Sequence, residues 1–515
     1  MKIVKKILSV ISFILGFALT FITFLAFFAT KWLRATYGNI SFDEILYTLS
    51  SPIRGTESAL IDSFKVIALR PAIIVSVIFF TILSVIYAFL LKSNFKISFK
   101  LFRSKEYHFK ISGLIPFFLL LIVSLGYLAS ILNTCMDEVG IKEYYFNQTQ
   151  NSTFVAENYV DPNDVNLTFP EQKRNLIHIY VESFESSYFS KDLGGLEDSN
   201  LLEDLTKLTS DGVNFSDSDK LGGAYATYGS TFTSAGLTSQ MLGIPVLICE
   251  ACSIGMYEQH EHFLQGAVGI GNILEENGYR QYFMMGSEKE FGNRDKLLKE
   301  HGNYQVYDLN SAHEDGSLPE DYHVYWGFED SKLFSFAKKQ LTEIAKEDKP
   351  FNYSLLTVNN HPVDGYLEQD CKQKYPDQYT NVLSCTASQI ADFVSWAKKQ
   401  DFYKNTTIVI TGDHLTMKAG YFDDDVLNER RVYNLFINAS VEPINAKNRQ
   451  FTTLDIFPTT LAAMGVKIEG NRLGLGTNLF SNEATLAEQY GIELLNSEFE
   501  KRSIFYTDRF ILGKK

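Results

Sequence analysis

The sequence predicts an α/β protein: three N-terminal transmembrane helices followed by an extracytoplasmic, doubly wound domain built on a mixed sheet. Three observations predict it. Three long apolar stretches without a charged residue fall within residues 1–133 of the 515. Beyond residue 173, short β-branched apolar runs alternate with amphipathic stretches, the pattern of strands and crossover helices. A short β-branched apolar run, Thr406-Thr407-Ile408-Val409-Ile410-Thr411, passes directly into Gly412-Asp413-His414. That is how a buried strand of a parallel sheet delivers polar residues to its carboxyl end, the edge where open α/β sheets bind ligands.

The apolar stretches are read as spans at residues 7–28, 72–91 and 111–132, each long enough to cross a bilayer. The first is too long, and too poor in a small-residue cleavage site, for a removed signal peptide. Residues 1–133 carry 14 Lys and Arg against 5 Asp and Glu, although the whole chain has a net charge of -14. Lys2, Lys5 and Lys6 precede the first span, and the loop between the second and third holds Lys92, Lys96, Lys100, Arg103, Lys105 and Lys110. The positive-inside rule places both in the cytoplasm and everything after the third span outside. The body of the chain is strongly acidic, which argues against nucleic acid as a partner, because phosphate backbones need a basic face.

Residues 134–172 are polar, with Pro162 and Pro170, and read as a connecting stalk that packs along the extracytoplasmic domain of residues 173–515. An extracytoplasmic location makes disulfides the expected use of the five cysteines. Cys371 and Cys385 bracket a short polar loop and form one expected pair; Cys249 and Cys252 form a second candidate, and Cys135 is left over. A zinc site joining Cys249 and Cys252 to His260 and His262 ranks below this, since its spacing is tighter than such sites use.

Within the domain, strands are expected at Asn175–Val181, Tyr279–Met285, Tyr353–Val358 and Val432–Ile437, besides the run at Thr406. Helices are expected at Leu201–Leu208, Gly271–Glu276, Phe334–Ala345, Thr386–Gln400 and Asp455–Met464. Two further stretches carry chemistry. Glu182 follows directly on the buried run Ile177-His178-Ile179-Tyr180-Val181, which puts a carboxylate at the ligand edge. Ser230-Thr231-Phe232-Thr233-Ser234-Ala235-Gly236-Leu237 is a hydroxyl-rich loop feeding a helix that Gly243 and Pro245 stop. Thr233 could simply cap that helix. Alternatively its hydroxyl is a nucleophile at a helix start, where amides and the dipole favour phosphate.

Together Glu182, Thr233, Asp413 and His414 would make a mixed oxygen and nitrogen site for one divalent metal, with manganese or zinc suited to two carboxylates and an imidazole. A hydroxyl on such a metal ionises more easily, and an alkoxide beside a helix N-terminus can attack phosphorus through a covalent intermediate.

The chain resembles the membrane-anchored phosphoglycerol transferases of the alkaline phosphatase/sulfatase superfamily, especially those that decorate periplasmic glucans, and more distantly the lipoteichoic acid synthases. The resemblance runs through Leu46-Tyr47-Thr48-Leu49, Ile179 to Ser183, Thr233 to Gly236 and Gln240 to Pro245. It continues through Asp330 after Trp326-Gly327-Phe328, Thr357 to His361, Gly412-Asp413-His414 and Leu473 to Gly476. It implies a sulfatase-type fold and a metal held by Glu182, Asp413, His414 and the Thr233 hydroxyl. It further implies Thr233 as the nucleophile carrying a glycerophosphate group, and His361 as both a catalytic and a phosphate-contacting residue. Phe291-Gly292-Asn293-Arg294-Asp295 resembles the Phe-Trp-Asn-Arg-Asp stretch of the lipoteichoic acid synthases, so Arg294 matches a substrate-binding arginine while Gly292 replaces the tryptophan.

The resemblance also implies a multi-pass protein of the bacterial cytoplasmic membrane that takes its group from phosphatidylglycerol and passes it to an extracytoplasmic glycan. The periplasmic-glucan members carry a long extra C-terminal part; this sequence ends at Lys515, which leaves the acceptor open. Two other readings share the sequence features: a lipid-dependent phosphoethanolamine transferase of the same fold, and an inactive membrane-tethered glycan-binding protein. A formylglycine sulfatase would need Cys-x-Pro-x-Arg where this chain has Thr233-Ser234-Ala235-Gly236-Leu237, and is rejected.

Overall fold

A computed structural model describes residues 2–38, 40–50, 57–101, 105–248 and 262–514. The chain divides into two compact units, residues 1–40 with 58–143, and residues 41–57 with 144–515. This departs from the sequence boundaries in one instructive way. The loop between the first two spans, read as part of the membrane anchor of residues 1–133, clusters with the second unit.

In the first unit, helix α1 (Lys2–Tyr37) begins the chain. Helix α2 (Phe42–Ser50) comes next in sequence but belongs to the second unit. Helices α3 (Arg70–Lys92) and α4 (Leu114–Glu138) complete the first. Among the described residues, the stretches long and apolar enough to cross a membrane are Val10–Tyr37, Ser58–Leu90 and Ile115–Glu138. Phe24, Ala72 and Leu128 form the buried contact between them, one residue from each helix.

The third span starts later than residue 111, because Ile111 and Ser112 end a β-hairpin and the helix begins after Gly113. That hairpin pairs Asn94–Leu101 with Lys105–Ser112 in the basic loop. Phe95, Ile97, Phe99 and Leu101 alternate with Lys96, Ser98 and Lys100, a period of two that charge counting passes over.

The second unit resumes at Tyr144, within the stretch expected as a stalk. The residues there are short helices tied to the C-terminal region: Asn147 donates to Glu500 at 3.0 Å and Ser152 to Glu498 at 2.7 Å. The sheet strands, in chain order, are β1 (Asn175–Val181), β2 (Gly212–Val213), β3 (Arg280–Met285), β4 (Gln305–Tyr307), β5 (Phe351–Leu356), β6 (Thr406–Gly412) and β7 (Val432–Ile437). They lie in the order β2-β7-β6-β1-β5-β3-β4, and the pair Gly223–Ala224 adds an eighth strand on β7. The run from β6 to β4 is parallel, whereas β7 is antiparallel to β6.

Every residue of β1, β5 and β6 is buried, as expected of central parallel strands covered on both faces. Two apolar cores fill the two faces. One gathers Val409, Phe436, Leu237 and Phe457; the other gathers Ile408, Ile410, Leu355 and Phe393. The helix expected from Thr386 begins earlier, at Gln378, because Asp377 caps it by accepting from the Thr380 amide. Cys385 lies on that helix and is disulfide-bonded to Cys371, with Cα atoms 5.6 Å apart. Cys135 is free and buried, whereas Cys249, Cys252 and His260 lie outside the described residues.

Candidate metal and nucleophile site

The strand order β6-β1-β5 sets three carboxyl ends side by side. β6 delivers Asp413 and His414, β1 delivers Glu182, and β5 runs into the loop that ends at His361. Sheet pairing extends to the last residues, with Gly412 opposite Val181. The turn after β1 is sharp because Ser183 takes φ 51°, a left-handed conformation uncommon outside glycine. Its amide then donates to Asp413 Oδ1 at 2.8 Å and its hydroxyl to Glu182 Oε1 at 2.7 Å.

Opposite these strand ends begins helix α5 (Thr233–Leu242). Phe232 occupies the capping position, and Thr233 is the first helical residue without bonding to its own helix turn. The capping role is therefore not the one its side chain plays. Its Oγ1 lies 3.2 Å from Glu182 Oε2 and 3.4 Å from His414 Nε2. The amides of the first turn have no carbonyl four residues back, so they face the same space as the hydroxyl.

Glu182, Asp413 and His414 each offer a ligand atom within 4.8 Å of the others. His414 Nε2 is 3.4 Å from Glu182 Oε1 and 3.5 Å from Asp413 Oδ2. Its Nδ1 lies 2.7 Å from the Leu415 carbonyl, which can only accept. That contact holds a proton on Nδ1 and aims Nε2 at the two carboxylates, where a bound cation would displace its proton and take its lone pair, the arrangement of a metal-binding histidine. Asp413 Oδ1 is saturated by the amides of Ser183 and His414, while its buried Oδ2 has no hydrogen-bond partner among the described residues.

An orphaned carboxylate oxygen beside a second carboxylate is costly unless a cation sits between them. Burial, joined by the charge of Glu182, pushes the Asp413 carboxyl well above its ordinary range. Burial also works against charge on Glu182, but His361 and His414 outweigh it and hold that carboxyl below its ordinary range. Burial likewise opposes charge on His414, yet the two acids lift it to about 10. The donors, two carboxylates, one imidazole and the Thr233 hydroxyl, fit a divalent cation. Bound there, such a cation would lower the pKa of the Thr233 hydroxyl and offset charge on a phosphoryl oxygen.

His361 and Arg294 come into the same neighbourhood. The Trp326 ring packs on the His361 ring with centroids 4.2 Å apart, and the Tyr325 hydroxyl donates to the His361 carbonyl. His361 Nδ1 lies 2.8 Å from the Pro362 carbonyl, so this nitrogen carries the proton and Nε2 can accept one. Burial holds the imidazole below its usual range, although Glu182 opposes this. Arg294 is buried at the start of helix α6 (Arg294–Glu300). It donates to the carbonyls of Phe291 at 2.8 Å and Glu288 at 2.9 Å. Burial lowers it to about 10, but it stays a cation at neutral pH, with Glu182 and Asp413 favouring its charge.

Other residues that build the site carried no assigned role in the sequence reading. Gln240 Nε2 donates to the carbonyls of Gly412 at 2.8 Å and Asp413 at 3.3 Å, bracing the β6 turn from α5. Asp330 accepts from the amides of Val358 at 2.8 Å and Asn359 at 3.3 Å, which fixes the loop leading to His361. Both stood in motifs that carry the family resemblance, and an acid next to buried aromatics was the available signal for Asp330.

A family model described as Sulfatase matches residues 174–466. Among curated relatives, Phosphoglycerol transferase I of Salmonella choleraesuis (strain SC-B67) is 29% identical over 336 residues, covering 62% of this chain and 40% of the relative. Phosphoglycerol transferase I of Escherichia coli O6:K15:H31 (strain 536 / UPEC) gives the same identity and coverage. The chain thus spans 40% of the length of the curated relatives it matches. The integral membrane protein lipooligosaccharide phosphoethanolamine transferase A (EptA) from Neisseria meningitidis shares the fold. That likeness has a TM-score of 0.50 at 12% identity and covers 88% of this chain and 84% of that one. With the family model spanning more than half its length, and a buried acid–histidine cluster at the strand ends that model includes, the chain belongs to the sulfatase family of the alkaline phosphatase superfamily.

Proposed function

We propose that the protein transfers a glycerophosphate group from phosphatidylglycerol to a hydroxyl of an extracytoplasmic glycan. Thr233 is the nucleophile; Glu182, Asp413, His414 and the Thr233 hydroxyl hold one divalent cation, manganese or zinc. The observation that carries this reading is the position of Thr233 Oγ1, free of a capping role and within 3.4 Å of both Glu182 and His414 at a helix start. Three apolar helices would hold the domain at a membrane, where lipid head groups are the nearest phosphodiesters.

In the first half-reaction Thr233 gives up its proton and its Oγ bonds to phosphorus. The bond from phosphorus to the diacylglycerol oxygen breaks, and that oxygen takes a proton. The α5 amides and the Arg294 guanidinium stabilise charge on the phosphoryl oxygens. In the second half, the glycan hydroxyl gives its proton to His361 Nε2 and its oxygen bonds to phosphorus. Thr233 then leaves and regains a proton. One proton passes overall from glycan to diacylglycerol, so the sequence balances.

Mass spectrometry of the intact chain after incubation with phosphatidylglycerol, and separately with phosphatidylethanolamine, tests the reading. Glycerophosphate on Thr233 supports it, whereas ethanolamine phosphate would keep the chemistry and replace the head group. Metal binding with no adduct from either lipid would instead fit a membrane-tethered binding protein.

A further inference from the structure

Helix α2 reaches the nucleophile from a distant part of the chain, and the chemistry above uses none of its residues. At its start the Ser41 amide donates to Glu44 Oε2 at 3.2 Å, which closes the first turn. The other oxygen, Oε1, accepts from the Thr231 hydroxyl. One turn on, the Tyr47 hydroxyl donates to the Gly292 carbonyl at 2.7 Å, and its ring lies 4.7 Å, centroid to centroid, from that of Phe232. The Ser234 hydroxyl donates to the same Gly292 carbonyl at 2.7 Å. Two side chains one turn apart on α2 therefore grip Thr231 and Phe232 directly, and Ser234 through a shared acceptor. Those three residues flank Thr233 on both sides.

A structural cap does not explain this arrangement. A cap needs only one carboxylate oxygen, yet Glu44 spends the other on Thr231, and the side chains sit within the protein, Glu44 only 6% exposed and Tyr47 only 3%. Burial, and after it the charge of Asp43, pushes Glu44 up to about 8, so its carboxyl sits there at a cost. Gly292 completes the grip. It adopts φ +66°, and a Cβ there would lie 2.5 Å from Ser234 Oγ, so a side chain would strain the backbone and push the Ser234 hydroxyl off this carbonyl.

We infer that α2 is a working part of the catalytic centre, in which Glu44 and Tyr47 position the segment Thr231–Ser234 so that the Thr233 hydroxyl points at Glu182 and His414. Neither side chain touches a reacting atom; both are positioning residues. The inference rests on Thr233 being the nucleophile, and it makes the loop between the first two spans a requirement of transfer rather than a tether.

The test uses the full chain in phosphatidylglycerol vesicles, comparing wild type with Thr231→Val, Thr231→Ser, Tyr47→Phe and Glu44→Gln. Thr231→Val and Tyr47→Phe should each lower kcat by about tenfold to a hundredfold while KM for the lipid stays within about threefold. Thr231→Ser, which keeps the hydroxyl, should restore kcat, and Glu44→Gln combined with Thr231→Val should be no worse than Thr231→Val alone. Hydrogen exchange of the peptide from Tyr228 to Leu237 should rise in Thr231→Val and Tyr47→Phe. A kcat near wild type in both variants, a rise confined to KM, or unchanged exchange in that peptide would each overturn the inference. A wild-type chain that leaves phosphatidylglycerol intact but cleaves bis(p-nitrophenyl) phosphate through Thr233 would defeat the proposed transfer instead, and the same variants on that diester would still decide the role of α2.

Discussion

Gly236 of α5 and Asp413 of the β6 turn meet backbone to backbone: a Cβ on Gly236 would lie 2.1 Å from the Asp413 carbonyl oxygen. This contact sets the distance between Thr233, the proposed nucleophile, and Asp413 and His414, the proposed metal ligands, because Gly236 is one turn along the helix that Thr233 begins. Gln240, a further turn on, donates to the same carbonyl and to that of Gly412, so helix and strand end are locked together.

Gly236→Ala therefore cannot be accommodated by moving a flexible side chain. The helix must shift away from β6, carrying Thr233 from Glu182 and His414. Overpacking of this kind costs about 1–3 kcal/mol, and displacement of a reacting group by about 1 Å costs about a hundredfold in rate. Metal titration and turnover should both fall, with the sheet retained by circular dichroism. Native metal affinity in Gly236→Ala would show that the contact does not set the site.

Removing single functional groups should separate roles. Thr233→Ala deletes the proposed nucleophile but leaves Glu182, Asp413 and His414, so turnover should drop by about three or more orders of magnitude while a divalent ion still raises the melting temperature. Asp413→Ala and His414→Ala should lose the metal-dependent rise as well as turnover. His361→Ala should keep the rise and lose turnover, since its Nε2 is assigned to the glycan proton rather than to the metal. Near-native release of diacylglycerol by Thr233→Ala would mean that water attacks directly.

The parts of this centre that were legible in the sequence are those encoded locally. The strand Thr406–Gly412 announces itself by β-branched residues and Asp413-His414 follows without a gap; Asn175–Val181 does the same for Glu182. Thr233 was legible as a hydroxyl before a helix, though only packing shows that its side chain leaves the capping role free. Long-range relationships were not legible. Glu44 meets Thr231 across 187 residues and Tyr47 meets Gly292 across 245; the stretch Leu46-Tyr47-Thr48-Leu49 carried part of the resemblance, but nothing local in α2 says what its side chains touch. The left-handed turn at Ser183 was hidden for another reason, since serine carries none of the signal that glycine gives at such a position.

The disulfide between Cys371 and Cys385 closes a 14-residue separation on the segment that follows Glu368. Glu368 accepts from Asn359 Nδ2 at 2.6 Å and Gln389 Nε2 at 2.9 Å, so this region braces the loop that leads to His361. Cross-linking a loop of this size contributes about 3 kcal/mol, mainly by restricting the unfolded chain. Cys371→Ser with Cys385→Ser should lower stability by about that amount, and thiol labelling of the unreduced, unfolded protein should miss both residues. Full labelling of both would rule the bond out.

Two buried histidines away from the proposed metal ligands make stability depend on pH. His178 lies on β1, its Nε2 2.9 Å from the Thr411 hydroxyl and its ring stacked on Tyr180. His301 Nε2 lies 2.7 Å from the Phe263 carbonyl. Burial lowers His178 to about 3 and His301 to about 4. In the unfolded chain each would take up a proton near pH 6.5. As pH falls from 6.5, the unfolded state therefore binds two protons that the folded state refuses, and stability drops; above 6.5 neither histidine contributes a slope. Each contributes about 1.4 kcal/mol per pH unit between about 6 and 4. His301→Gln can keep a hydrogen bond to Phe263 and cannot titrate, so its stability should fall less steeply than that of wild type. Measured by chemical denaturation at matched metal concentration, the gap between the two proteins should narrow by about 1.4 kcal/mol from pH 6 to pH 5. A gap that stays constant across that range would mean that His301 is protonated in the folded protein and that its burial is not what sets its charge.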